Sequence, residues 1–140
     1  MDLIVLVARI LFAYLLIGSG TGHLTQKAAM AGYAQSRGVP VPRLAVQVSG
    51  VALVLGGAAI LLGIWGDLAA LLVAVLLLIV AVVMHAFWKE TDALVRANEM
   101  VQFNKDLALA AGALAFLALF NHGGLDDAFT ITDSLLTIGR

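Results

Sequence analysis

The chain has no cysteine, which removes disulfides, thiolate metal ligands and CxxC redox chemistry from the polypeptide itself; any thiol chemistry would sit on a partner. Charge is scarce too: Asp, Glu, Lys and Arg make up 12% of 140 residues and the formal net charge is −1. That balance offers no basic footprint for nucleic acid. There are two prolines, Pro40 and Pro42, placed to end one helix and restart the next. The opening Met1-Asp2 lacks the basic region of a signal peptide, and Gly18, Gly20 and Gly22 before His23 make a poor cleavage site. The first apolar stretch is therefore expected to be a retained helix.

What is present is hydrocarbon. Apolar residues make up 62% of the chain and the mean hydropathy is +1.04, far above an ordinary soluble domain. The run 68–88, LAALLVAVLLLIVAVVMHAFW, carries no charge until Lys89. A hydrocarbon core of about 30 Å needs about 20 apolar residues at a 1.5 Å rise, so this run reads as a membrane helix. Similar runs predict spans near 3–24, 43–65 and 103–120. The expected fold is an all-α membrane protein, a four-transmembrane-helix bundle forming one domain over 1–124. A short interfacial helix between spans one and two is expected in TQKAAMAGYAQSRGVPVP, with Thr25 as N-cap and Gly38 as stop. Its Met30 and Tyr33 are read as facing the membrane. Gly18 and Gly22, four apart, have the spacing that lets membrane helices approach closely, and Ser49, Gly56 and Gly63 repeat at heptad spacing. Gly66-Asp67 reads as a tight turn that makes spans two and three an antiparallel hairpin. The polar stretch after Lys89 reads as a helical continuation of span three, Gly123 and Gly124 as the stop of span four, and His122 as a solvated cap. The tail, 125–140, is expected to fray, the alternative being a strand or docking segment suggested by the alternation over 128–132.

This order of spans puts loops 25–42 and 89–102 on one side, where Lys27, Arg37, Arg43, Lys89 and Arg96 gather, with Lys105 at the membrane edge. The positive-inside rule makes that side cytoplasmic and leaves both termini outside with Asp126, Asp127 and Asp133. His23, His85, Asn104, Lys105 and Asp106 then lie at one depth on the basic side. Arg9, Leu16, Gly20 and His23 share a helix face, because the 14 residues from Arg9 to His23 make close to four turns. Arg9 sits about 21 Å from His23 along that face. A charge within a span costs about 2.5 to 3.5 kcal/mol on insertion scales; Arg9 either snorkels to the outer interface or faces the bundle interior. His85 and Trp88 read either as interface anchors or as ligand contacts, and Lys105 and Asp106 either as a helix start or as part of a site.

Three chemistries suit the convergent residues. Two histidines could ligate a haem iron, or with Asp106 hold a metal as a two-nitrogen, one-oxygen set; nothing in the spacing demands either. A quinone or similar amphipathic ligand fits more easily, its carbonyls taking donors such as His23, His85 or Lys105, its ring taking Tyr33 or Trp88, and its tail taking lipid. His and Asp could also relay protons. The expected role is a small membrane subunit or docking platform of a membrane-associated oxidoreductase system, an accessory rather than a free-standing enzyme, with contact to a protein partner or to a second copy of the chain. The alternatives are a small transporter or permeation subunit lined by Arg9, Gln47 and His85, and an assembly or scaffold protein with no ligand.

The arrangement of Arg9 in the first span, GSGTGHL before a tyrosine-bearing helix, the GVPVP break, SGVALVLGGAAILLG in the second span, HAFW closing the third and FNKDLALAAGAL opening the fourth resembles the DoxX family of small bacterial membrane proteins. The resemblance covers roughly residues 5 to 118. It implies a four-helix domain in the bacterial cell (inner) membrane and association with redox complexes, the family taking its name from likeness to a small subunit of thiosulfate:quinone oxidoreductase. Arg9, His23, His85 and Lys105 are the matched polar positions. Many members carry an acidic residue where this chain has Leu53, a departure that weakens any claim of independent catalysis.

Overall fold

Four long apolar runs and one short mixed segment become five α-helices in the computed structural model, which describes residues 2–122 and 129–136. They are α1 (Asp2–Thr25), α2 (Lys27–Ser36), α3 (Pro42–Leu62), α4 (Gly66–Met84) and α5 (Ala93–Asn121), with one 3₁₀ turn at Phe87–Lys89 between α4 and α5. All but α2 belong to segments long and apolar enough to cross a membrane, and the chain is a small multi-pass membrane protein. α1 packs on α3 and α4 on α5, the α3/α4 hairpin joins the pairs, and α2 leans on α3. One end of the bundle carries α2 and the α4–α5 connection, and is the basic end; the other carries the α3–α4 turn and is called the far end.

Lipid tails are as apolar as leucine, so helices in a bilayer associate through close packing rather than through the hydrophobic effect. The contacts here show it. A Cβ on Gly20 would stand 2.6 Å from the Gly50 carbonyl oxygen, and one on Gly50 would stand 2.8 Å from His23 Cβ. These glycines bring α1 and α3 together, and Gly57 extends the seam against Ala13 and Leu16. Gly18, in contrast, faces open space, so the close approach uses the turn offset from the Gly18/Gly22 pair. Phe12 packs on Phe116 at 5.3 Å between ring centroids and over Gly112, which ties the two helix pairs together. Leu53 lies in this apolar core with Phe12, Leu16, Ile60 and Val73.

Several boundaries differ from the sequence expectation: Thr25 ends α1 and Gln26 is the N-cap of α2, and α4 ends at Met84 with His85 as its cap, short of residue 88. α3 stops at Leu62, because Gly63 takes a left-handed conformation (φ 64°) as its cap, and Trp65 follows at φ 44°. The turn therefore precedes Gly66-Asp67, which opens α4 and places an acid in the first turn, where the helix dipole favours it. The polar stretch 93–102 continues span four backwards rather than span three forwards. Asp92 caps it, its carboxylate accepting from the N–H groups of Leu94 and Val95 at 2.9 Å each. At 29 residues, α5 is about 43 Å long and outreaches the hydrocarbon. Last, described tail residues 129–136 dock instead of fraying. The Gly63 carbonyl accepts from Ile131 and Thr132 N–H at 3.2 Å, and Thr132 Oγ1 accepts from Trp65 N–H at 2.7 Å. Ser134 Oγ donates to the Phe120 carbonyl at 2.5 Å, and Asp67 Oδ2 accepts from Leu136 N–H at 2.5 Å. No strand occurs among the described residues. Gly123, Gly124, Asp126, Asp127, Ala128 and Arg140 lie outside them. His122 is exposed at the end of α5, as expected.

Candidate functional site

Two polar groupings lie inside the bundle, one at each end. At the far end Arg9 is fully buried and does not snorkel. Its Nε donates to the Ile60 carbonyl at 2.8 Å and its Nη2 to the Leu61 carbonyl at 2.5 Å. These carbonyls belong to the last turn of α3, where helix oxygens lack intrahelical partners and the dipole is negative. The Phe120 ring adds a cation–π contact at 5.5 Å. A helix C-terminus and an aromatic face thus stabilise the guanidinium.

The larger grouping is at the basic end, around a cavity of about 360 Å³. Ser19 and His23 on α1, Tyr33 on α2, Ser49 on α3, His85 after α4, and Gln102 and Lys105 on α5 supply its polar lining; Met30, Val46, Leu76, Ile79, Val80 and Val83 supply much of the rest. α2 turns Met30 and Tyr33 toward the cavity instead of toward lipid, since Ala31 and Ala34 on the same helix are buried and seat it on the bundle. Of the residues the sequence singles out, His23, Tyr33, His85 and Lys105 line this space, and Asp106 stands behind His85. Trp88 lies outside the lining, half exposed and stacked edge-on against Phe87 and Phe103. Asn104 is exposed. Gln47 opens into a different recess and Arg9 sits at the opposite end, so Arg9, Gln47 and His85 do not share one path.

Behind the cavity wall runs a chain of charges centred on a residue the sequence reading missed, Glu99. Its Oε1 accepts from Tyr33 OH at 2.8 Å and from Arg37 Nη2 at 2.6 Å; its Oε2 meets His85 Nδ1 at 2.8 Å. Arg37 also pairs with Glu90, and Tyr33 OH reaches the Met84 carbonyl at 3.2 Å. On the other face of the imidazole, His85 Nε2 lies 3.6 Å from Asp106 Oδ2, an oxygen that is buried without a hydrogen bond. Lys105 Nζ is 3.4 Å from Asp106 Oδ1 and donates to Gln102 at 2.7 Å. The imidazole therefore sits between two carboxylates, bonded to Glu99 and 3.6 Å from Asp106, and because carboxylates accept, it donates to Glu99 from Nδ1–H. The signal for Glu99 was its spacing from Asp106: seven residues are two helical turns, one face of one helix, once α5 is known to start before residue 99.

The groups outside the spans respond to this setting. Burial, reinforced by the hydrogen bond to Glu99, pushes the Tyr33 hydroxyl above its ordinary value. For Arg37, burial works against the charged form, but the hydrogen bond to Glu90 and the contacts with Tyr33 and Glu99 outweigh it and hold the guanidinium pKa above the ordinary arginine value. Across the cavity, His23 Nδ1 is 2.9 Å from Ser49 Oγ, which in turn donates to the Val46 carbonyl at 3.0 Å. With the one hydroxyl proton directed to Val46, His23 donates to Ser49 from Nδ1, leaving Nε2 as an acceptor when neutral. Among the described residues no three His, Asp or Glu side chains are grouped to hold a metal ion.

No curated protein matched the chain, and no solved structure did. A family model described as DoxX matches residues 4–86, more than half of the chain and the segment that carries Arg9, His23, Tyr33, Arg37 and His85. With that match and four membrane-spanning segments packed as described, the chain belongs to the DoxX family.

Proposed function

We propose that this protein is an accessory subunit or docking platform of a membrane oxidoreductase system, and that the basic-end cavity receives a quinone headgroup. The observation that carries the reading is the cavity itself. At about 360 Å³ it falls in the lower part of the usual ligand-pocket range of about 300 to 1,000 Å³. It is mostly apolar, and its polar groups sit where a carbonyl-bearing ring entering from lipid would meet them. His23, Tyr33, His85 and Lys105 are the ligand-facing residues, with Lys105 Nζ a donor for a carbonyl oxygen and Tyr33 and Met30 walls for a ring. A quinone when bound supplies two-electron, two-proton chemistry, the electrons belonging to the partner's redox centre. The chain's own contribution is positional and protonic: once the ring shifts to close the 3.6 Å gap to Asp106, His85 would take a proton from the Asp106 carboxyl at Nε2 and release its Nδ1 proton to the Glu99 carboxylate. Under this reading the membrane is the bacterial inner membrane, the basic end is cytoplasmic and both termini are outside.

The test uses the purified full chain in neutral detergent. A short-tailed benzoquinone should bind saturably, and His23→Ala and His85→Ala should each weaken it at least about tenfold, the equivalent of about 1.4 kcal/mol. Affinity capture from native membranes should recover a flavin- or iron–sulfur-containing protein. Absence of quinone binding together with absence of a redox partner would overturn the proposal.

A further inference from the structure

A second recess, of about 280 Å³, lies between the first turns of α2 and α3 and is lined by Lys27, Ala28, Arg43 and Gln47. We propose that it binds the phosphate headgroup of an anionic phospholipid, with Lys27 and Arg43 as the cations that hold it.

Four observations lead there. First, the charges are unspent. Arg37 is neutralised by Glu90 and Glu99, and Lys105 faces Asp106, whereas Lys27 and Arg43 have no acidic partner among the described residues. Second, the backbone around them is short of acceptors. Neither Gln26, the N-cap of α2, nor Val41, the N-cap of α3, caps its helix with a side chain. The first-turn N–H groups of both helices therefore have no side-chain acceptor, and the α3 dipole adds positive potential beside Arg43. Third, the depth is that of a headgroup. Lys27 comes two residues after the membrane-spanning segment Leu3–Thr25, and Arg43 is the second residue of the segment Pro42–Leu62.

Fourth, the surface below the recess favours a lipid over a free anion. Leu44, Val48, Val51 and Leu55 are all exposed, and their spacing of four, three and four residues draws one stripe along α3. A phosphate held by Lys27 and Arg43 would set its acyl chain on this stripe, and the Gln47 amide, between the charges and the stripe, is placed for the glycerol ester level. A small inorganic anion would use the cations and leave the stripe idle. The site lies on the face of α3 away from the His23–His85 cavity and does not depend on what that cavity binds.

The experiment compares phosphatidylglycerol, phosphatidylcholine and inorganic phosphate on the full chain in neutral detergent, read by native mass spectrometry and by thermal unfolding. Phosphatidylglycerol should be retained as an adduct and bind at least tenfold more tightly than phosphatidylcholine. The double variant Lys27→Gln/Arg43→Gln should lose that preference, whereas Lys89→Gln/Arg96→Gln, which removes two exposed cations from the α4–α5 region of the same end, should keep it. Raising NaCl to 0.5 M on the wild-type chain should weaken the preference as well, which tests the electrostatics without any variant. Equal retention of the two lipids, an unchanged preference in the Lys27/Arg43 variant, or full competition by an equal concentration of inorganic phosphate would each overturn the proposal.

Discussion

Replacing Glu99 by alanine removes the shared acceptor of three donors, and the structure allows the cost to be worked out. Glu99 Oε1 receives Tyr33 and Arg37, and Oε2 receives His85. Truncating one member of a fully buried ion pair costs about 3 to 5 kcal/mol, most of it from the charge left behind, whereas an exposed pair is worth about 0 to 1 kcal/mol. The side chains of Glu99, Arg37 and His85 retain 12%, 15% and 14% exposure, nearer the buried limit, and Arg37 keeps Glu90. The expected loss for Glu99→Ala is therefore at the lower end of the buried range, ~3 kcal/mol, or ~10 °C in melting temperature. Glu99→Gln should cost about 1 kcal/mol. Its carbonyl still accepts from Tyr33 and Arg37, and its amide drives His85 to accept at Nδ1 and carry its proton on Nε2, toward Asp106. Glu90→Ala touches Arg37 alone at a more exposed position, 20%, and should cost about 1 kcal/mol or less. Thermal unfolding of the three variants in detergent orders these numbers, and nitrogen NMR of the His85 ring reads the tautomer. If Glu99→Ala melts with the wild type, or no lower than Glu90→Ala, solvent screens the cluster and the reasoning fails.

The remaining predictions use the same purified chain. Gly20→Ala forces a methyl to 2.6 Å from the Gly50 carbonyl and should destabilise by about 1 to 3 kcal/mol, while Gly18→Ala, with nothing within 4 Å, should be neutral or stabilising by up to about 1 kcal/mol; the reverse order in thermal melts would show that the α1–α3 seam lies elsewhere. Arg9→Ala strips two carbonyls at the end of α3 of their donor and should cost about 2 kcal/mol or more, and Arg9→Lys, which keeps the charge but not the fork, should recover only part of that; equal stability of all three chains would contradict the burial of Arg9. Tyr33 has its hydroxyl pKa raised above 10.0 by burial and by its bond to Glu99, so its protonated form belongs to the folded state. Its contribution is fully present below pH 10 and lost as pH rises through the folded-state value, and Tyr33→Phe should flatten that alkaline part of the stability curve.

The four apolar segments, the α3/α4 hairpin and the short helix α2 were legible because each rests on a local property: hydrocarbon length, a turn, or a proline break. The shared face of Arg9, Leu16, Gly20 and His23 was legible for the same reason, since helical periodicity within one segment fixes it. His23, His85 and Lys105 were expected at one depth, and they line one cavity. Glu99 and Arg37 were not legible, because each looks like a solvated loop charge until Asp92 is seen to cap α5 and carry the helix back through residue 99.

Sequence alone thus determined that this protein lives in a membrane, how many times it crosses, and which polar groups share a level. Those are one-dimensional quantities: 1.5 Å of rise and 100° of turn per residue, read against a bilayer of known thickness. Only the tertiary structure decided what neutralises what. Arg9 could have met lipid phosphates, a carboxylate or a helix end, and the contact of α1 with the last turn of α3 selected the carbonyls of Ile60 and Leu61. His85 could have been an anchor at the lipid surface, and the packing of α4 on α5 set it between Glu99 and Asp106. Partners across helices depend on which faces meet, and in a bilayer those faces are chosen by close contacts such as Gly20 on Gly50, a fit that belongs to the two helices together.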